Sequence, residues 1–186
     1  MLYVGDKLTP PVAAPNGLKI ISGDTNLRSF TLPIPDPPMP WTGADADQHA
    51  LAQKALGFNC LNYMTTPEPS LYRHFLPSKS YIDANCPDGL RLELLFPQCW
   101  NGKDLDTPDH KSHMRFPSSG INGGSCPEGF DVPISQIFYE TYYDPSPFKS
   151  ADGEFVLSNG DPTGTFVLPI QHASLTHLHC RLRLPR

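Results

Sequence analysis

Proline is spread so densely through this chain that long helices have no room to form. The 186 residues include 22 prolines and 14 glycines, and the prolines cluster at 33, 35, 37, 38 and 40. A proline inside a helix removes a backbone hydrogen bond and clashes with the preceding turn. The chain is long enough for one domain with a sizeable core. This pattern predicts short strands joined by ordered loops, with residues 31–43 as an extended surface connector.

Alternation of apolar and polar residues predicts strands at 90–96, 134–143 and 155–158, and a short apolar strand at Leu18–Ile21. Prolines and glycines separate these segments, as in proteins built from packed antiparallel sheets. The predicted fold is therefore mainly β, a sandwich or jelly-roll-like pair of sheets with long loops and one short helix.

The one helix is predicted over residues 44–57, because small and apolar residues recur on one face and aspartates favour its start. Gly57 is a residue that can end it. Residues 58–85 are aromatic and without clear periodicity, and they are predicted to be an irregular segment packed on the domain.

Charge and hydropathy argue against two classes of partner. The formal net charge is -5, and no stripe of basic residues accompanies it, so nucleic acid is not an expected partner. No apolar run approaches the ~20 residues of a membrane span. The first residues lack a basic start followed by an apolar stretch, so no signal peptide is predicted in this chain.

Four of the five cysteines lie in loops or at strand ends, and none forms a Cys-x-x-Cys pair, which disfavours a zinc ribbon. Two disulfides explain them better, and disulfides imply an oxidising compartment. Pairing of nearest neighbours predicts Cys60–Cys86 and Cys99–Cys126, one of three possible arrangements, with Cys180 free.

The polar loop at 104–113 is the first place to look for a site. It carries three acids, two histidines and a lysine: Asp104, Asp106, Asp109, His110, Lys111 and His113. A helix start at Thr107 would put His110 and His113 on one face, and Asp109 or Asp106 could orient a ring. Such a group could bind a divalent metal, serve as a general base or bind a sugar. The alternative is a disulfide-bounded loop that folds on its own hydrogen bonds.

Glu93 and Glu140 are further catalytic candidates, because acids are unusual inside strands. If their strands line a cleft, the two carboxyls could act as the acid and base of glycoside chemistry. The alternative is a pair of solvated strand faces. The candidate substrate-binding residues are aromatic, amide and acidic side chains suited to sugars: Trp100, Gln136, Tyr142 and Asp161. The aromatic residues would equally suit an ordinary core.

Three stretches resemble one known family: NCPDGLRLELLFPQCWNGKD at 85–104, PDHKSH at 108–113 and SNGDPTG at 158–164. Residues 71–77 and 23–28 fit the same pattern. They resemble the fungal secreted proteins grouped as domain of unknown function 1996. The resemblance implies an extracellular protein and supplies no reaction.

The resemblance also predicts how the chain is organised. It covers about residues 1–164, which are expected to form a single incomplete domain truncated at its N-terminus. Family members usually begin with a signal peptide and a His-x-His segment, and those are expected to be missing here. Residues 165–186 depart from the family pattern and are predicted to be an aberrant, disordered tail.

The leading functional hypothesis is an extracellular protein that acts on or binds a cell-wall or plant polysaccharide. The first alternative is a non-catalytic, disulfide-stapled structural or interaction module of the fungal wall or secretome. The second is a metal-dependent hydrolase centred on His110 and His113. No cofactor is predicted, and use of a divalent metal is left open. Carboxyls that converge in an open groove would favour an enzyme, and carboxyls that scatter would favour a module.

Overall fold

Strands outnumber helices in the part of the chain that this computed structural model describes, residues 2–3, 10–24, 27, 29–37, 40–118, 120–157 and 180–183. The strands are β1 (Leu2–Tyr3), β2 (Leu56–Leu61), β3 (Gly89–Leu95), β4 (Cys99–Trp100), β5 (Met114–Arg115), β6 (Val132–Pro133), β7 (Gln136–Tyr143), β8 (Glu154–Leu157) and β9 (Cys180–Arg183). The helices are α1 (Gln48–Lys54) and α2 (Lys79–Asn85), with 3₁₀ turns at Gly43–Ala46 and Ser146–Phe148. The prediction of a mainly β fold is confirmed.

The central sheet has the strand order β1-β7-β3-β2, and each neighbouring pair is antiparallel. Strand β3 pairs with β7 from Leu90↔Tyr143 to Leu95↔Phe138. A second sheet has the order β5-β4-β6, and β8 pairs with β9. Strands β3, β7 and β8 lie within two residues of the predicted segments.

Strand β3 is covered on both faces. Leu92 and Leu94 pack with Phe58 in one apolar cluster, while Leu95 packs with Phe138 in another. Burial of a leucine side chain stabilises a fold by about 1.5–3 kcal/mol, so these contacts make β3 the centre of the domain. Any polar side chain on this strand must find its partners inside the protein.

Both predicted disulfides are present. Cys60 of β2 joins Cys86, the C-cap of α2, with a Cα separation of 4.5 Å. Cys99 of β4 joins Cys126, with a Cα separation of 5.4 Å. Each closes a loop of moderate length, worth about 3 kcal/mol in the chain-entropy model.

The helical predictions need correction. Helix α1 begins later than predicted, where Asp47 accepts a hydrogen bond from the Ala50 amide, and it ends at Lys54. Residues 56–61 form β2, the strand at the edge of the sheet beside β3, since pairing with β3 outweighs the local preference for helix. Helix α2 lies inside the segment predicted to be irregular, and Ser78 caps it. The described residues therefore contain two short α-helices, where one helix was predicted.

The predicted strand at Leu18–Ile21 does not form. The Lys19 amide donates instead to the Leu105 carbonyl at 2.9 Å, and the Ile21 amide donates to the His110 carbonyl at 3.2 Å. This segment therefore lies against the polar loop.

The C-terminal region is described only in part. Strand β9 pairs along the whole length of β8. Residues 158–179 and 184–186 lie outside the described residues, as does the side chain of Cys180, so the disordered tail and the free thiol stay predictions. None of the helices described is long and apolar enough to cross a membrane.

Candidate functional site

The loop at 104–113 forms two successive turns in place of the predicted helical turn. The His110 amide donates to the Thr107 carbonyl at 2.8 Å, and the Met114 amide donates to the Lys111 carbonyl at 2.9 Å. His110 has a φ of 54°, which is outside the right-handed helical region. His110 and His113 consequently do not share a helix face, and the predicted helix start is wrong.

His110 is half-buried and belongs to a chain of polar contacts. Its Nδ1 lies 2.5 Å from Asp106 Oδ1, and Asp106 Oδ2 pairs with Lys19 Nζ at 3.1 Å. The hydrogen bond to His110, followed by that to Lys19, lowers the pKa of Asp106 to about 2. These contacts tie the loop to the segment that carries Lys19.

Asp109 is exposed, but its carboxylate already accepts four hydrogen bonds. The donors are the Thr107 hydroxyl, the Lys111 amide and both the amide and the hydroxyl of Ser112. The bonds from Ser112 are the main cause that holds the pKa of Asp109 well below its ordinary range. A carboxylate so stabilised as an anion is a weak general base, so Asp109 serves chiefly to hold the loop together.

His113 is fully buried, and its ring is oriented by Thr107. Nδ1 lies 2.9 Å from Thr107 Oγ1. Because the single hydroxyl hydrogen of Thr107 is donated to Asp109, the His113 contact must be donated by Nδ1–H. Nε2 is buried, with no hydrogen-bond partner among the described residues. The loop thus contains a chain of two hydrogen bonds, from His113 to Thr107 and from Thr107 to Asp109.

Glu93 is buried on β3 and bound from several sides. Its carboxylate accepts from Asn59 Nδ2 at 2.6 Å, from Ser70 Oγ at 2.8 Å and from the Leu71 amide at 2.6 Å. Arg91 Nε lies 3.0 Å from the same carboxylate. Burial raises the pKa of Glu93, and the bonds from Leu71 and Ser70 oppose that rise. The side chain has no exposed surface, so Glu93 has a structural role.

Glu140 lies opposite Glu93 on β7 and is half-buried. Arg91 Nη1 is 3.5 Å from Glu140 Oε1, so the arginine bridges the two acids. Together they form an ion cluster on the sheet, and neither lines the groove described below.

The predicted sugar-binding residues that the structure describes lie in separate parts of it and do not form one site. Gln136 is fully buried and donates to the carbonyls of Phe96 and Ile121, at 2.9 and 2.6 Å. The Trp100 indole donates to the Asp104 carbonyl at 2.7 Å. Tyr142 is 58% exposed and could contact a ligand. Asp161 lies outside the described residues.

A groove of about 370 Å³ lies between residues 21–24 and 27, helix α1 and residues 109–116. Its buried lining is mostly apolar, with Leu56, Pro97, Met114 and Phe116, and the hydroxyl of its buried Ser22 donates to the Leu95 carbonyl. Its more exposed lining is polar: Asp24, His49, Asp109, Lys111, Ser112 and Arg115. The groove therefore offers an apolar surface surrounded by charged and hydroxyl groups.

Side-chain to backbone contacts build this groove. The Gln48 amide on α1 makes two hydrogen bonds with the backbone of Phe116, at 3.0 and 2.8 Å. Lys111 Nζ donates to the Gly23 carbonyl, and Ser22 Oγ donates to the Leu95 carbonyl at 2.7 Å. These bonds span long stretches of sequence, and they fix three separate segments around one opening.

Sequence reasoning found only one wall of the groove. Asp109 is a predicted site residue, whereas His49 and Arg115 were not predicted to belong to a site. The signal that pointed to the opposite wall was the family-like pattern at 23–28. Among the described residues, no three His, Cys, Asp or Glu side chains form a group that could hold a metal ion.

Fold and site together define a disulfide-linked, mainly β domain with an open groove beside its loop of aspartate and histidine. The model of the family described as a domain of unknown function, DUF1996, matches residues 1–168, and the chain belongs to that family. No curated protein and no solved structure matches the chain.

Proposed function

We propose that the protein is an extracellular binding module that holds a saccharide in the groove between residues 21–24 and 27, helix α1 and residues 109–116. The observation that supports this most is the make-up of the groove, a mostly apolar buried lining with polar groups around it. Sugars have the matching character, with apolar C–H faces and hydroxyls at their edges. A volume of about 370 Å³ suits a small ligand or a short part of a chain.

The arrangement of the acids favours binding over glycoside hydrolysis. A glycosidase needs two carboxyls on either side of the scissile bond, one of them able to give up or take a proton. Glu93 is enclosed by its own partners, Glu140 is bridged to it by Arg91, and neither lines the groove. Asp109 does line the groove, but its oxygens are occupied. The candidate acids scatter, which is the outcome expected of a module.

The proposed location rests on the disulfides. Two of them join the described parts of the chain, and such bonds persist in oxidising environments. The acidic net charge also fits a partner other than nucleic acid.

The direct test is a glycan array combined with a screen for released reducing ends. A positive glycan is then titrated against Ala52→Phe, which places a large side chain in the groove. Ala84→Phe is the matched control, since Ala84 is exposed on the other short helix and does not line the groove. We expect Ala52→Phe to weaken binding at least about tenfold and Ala84→Phe to leave it unchanged.

Two results would contradict this function. Absence of binding to every glycan would favour a structural or protein-interaction module. Release of reducing ends that Glu140→Gln abolishes would establish a glycosidase instead.

A further inference from the structure

We propose that the groove selects an acidic saccharide, one that carries a carboxylate or sulfate group, and that Arg115 binds this oxyanion. This inference rests on the proposed function, because it names the class of saccharide that the same groove would take. It is carried by an imbalance in the groove: its acids are already satisfied within the protein, whereas its cations are not paired with acids.

The arginines provide the clearest contrast. Three arginine side chains lie within the described residues. Arg73 pairs with Glu68 at 2.7 Å, and Arg91 lies between Glu93 and Glu140. Arg115 forms no ion pair with any described acid, although the protein as a whole is acidic. A half-buried guanidinium without a carboxylate is an attractive site for an anion.

Arg115 is also held in a fixed position. Its Nη1 donates to the Met114 carbonyl at 2.8 Å and to the Ser112 carbonyl at 3.3 Å. Its guanidinium carbon lies 4.6 Å from the centre of the Phe130 ring. These contacts engage one nitrogen and one face, and Nε and Nη2 have no partner among the described residues. An arginine that is already oriented loses less conformational entropy when it binds an oxyanion.

Lys111 adds a second positive charge to the groove. Its ammonium group donates to the Gly23 carbonyl, and it makes no ion pair with a described acid. One carbonyl uses only one of the three ammonium hydrogens. His49 is exposed on the opposite wall and adds a ring nitrogen that can donate.

The acids of the groove have little capacity left to accept hydrogen bonds from a ligand. The Asp109 carboxylate accepts four hydrogen bonds from its own loop. Asp24 also interacts within the protein. The remaining capacity of the groove is therefore mostly that of hydrogen-bond donors, which suits an acceptor-rich anion better than a neutral sugar.

The test compares ligands that differ only in charge. Calorimetric titrations of the full chain would use an oligogalacturonate, its methyl ester, and a sulfated oligosaccharide, at low and high salt. We expect the free acid to bind at least about tenfold more tightly than its methyl ester at low salt, with a smaller difference at high salt. The sulfated ligand shows whether the site takes oxyanions in general or carboxylates in particular.

Variants assign the preference to Arg115. Arg115→Gln should remove most of the advantage that the acid has over its methyl ester. Arg115→Lys should retain part of it, because the charge remains while paired hydrogen bonding is lost. Lys149→Gln is the control, since it removes one exposed positive charge that does not line the groove. Urea midpoints of all variants would show that the domain still folds.

The outcomes separate this inference from the proposed function. If neutral glycans bind in the groove and acids have no advantage, or if Arg115→Gln keeps the full preference, the inference is wrong and the binding function stands. If no saccharide of any charge binds in a manner sensitive to Ala52→Phe, both are wrong.

Discussion

Replacing Glu93 with alanine should be among the most damaging single changes in this domain. The side chain has no exposed surface and accepts from Asn59, Ser70 and the Leu71 amide at 2.6–2.8 Å. Arg91 lies 3.0 Å from it. Removing the carboxylate leaves the donors of Asn59, Ser70 and Leu71 without an acceptor. Each buried unsatisfied donor costs about 1–3 kcal/mol, so we expect a loss of about 3–5 kcal/mol. Small domains have a net stability of only about 5–15 kcal/mol, so this change would remove a large part of it.

Glu93→Gln is the matched control, because it keeps the shape of the side chain. Its carbonyl oxygen can still accept from Asn59 and Leu71, and its amide can donate to the Ser70 hydroxyl. The charge and the oxygen opposite Arg91 Nε are lost, because the amide nitrogen replaces Oε1, but Glu140 remains 3.5 Å from that arginine. We expect a loss of about 1–2 kcal/mol, close to the value of one hydrogen bond to a charged group.

The assay is urea unfolding at neutral pH, followed by tryptophan fluorescence, on the wild type and both variants. The reasoning would be refuted if Glu93→Ala were within about 1 kcal/mol of the wild type, the range of ordinary surface changes. It would also be refuted if glutamine cost as much as alanine. Loss of a glycan-directed activity at unchanged stability would return Glu93 to the catalytic candidates.

Three further changes test other parts of the structure by the same unfolding assay. Gly57→Ala should cost about 1–3 kcal/mol through overpacking, because the new Cβ would lie 2.3 Å from Glu93 Oε2, whereas Gly123→Ala, with open space around it, should have little effect. Lys54→Met should cost about 2 kcal/mol, since a fully buried ammonium 2.9 Å from an aspartate is lost, and a stabilised variant would contradict this. Asp106→Asn should make the free energy of unfolding depend less on pH in acid. The pKa of Asp106 is lowered to about 2 in the folded protein, so its carboxylate stabilises the fold above the pKa of an unfolded aspartate, and this stabilisation is lost as the pH falls toward 2. If the urea midpoint of that variant fell as steeply with acid as that of the wild type, the role of Asp106 would be disproved.

Structural features that depend on residues close together in the sequence were predicted correctly. Alternation identified β3 and β7, because a strand with a buried face has a period of two whatever its partners are. The order of the cysteines predicted both bridges, Cys60–Cys86 and Cys99–Cys126, since sequence neighbours close the shortest loops.

The predictions that failed depended on distant partners. Residues 56–57 look like the end of a helix, yet they pair with β3 and begin the strand β2. Leu18–Ile21 looks like a strand, yet its amides are taken by the polar loop. In both cases a hydrogen-bond partner far away in sequence outweighed the local preference.

The sequence by itself determined that this protein is a mainly β, disulfide-linked member of its family, with a polar loop worth examining. Composition, periodicity and cysteine order are properties of the chain, and they limit the fold before any contact forms. Only the tertiary structure decided what the polar residues do. It enclosed Glu93 among its own donors, saturated Asp109 within its loop, and left Arg115 in the groove without an acid. The physical reason is that the role of a charged side chain depends on which charges and donors surround it, and those neighbours come from segments far apart in the chain.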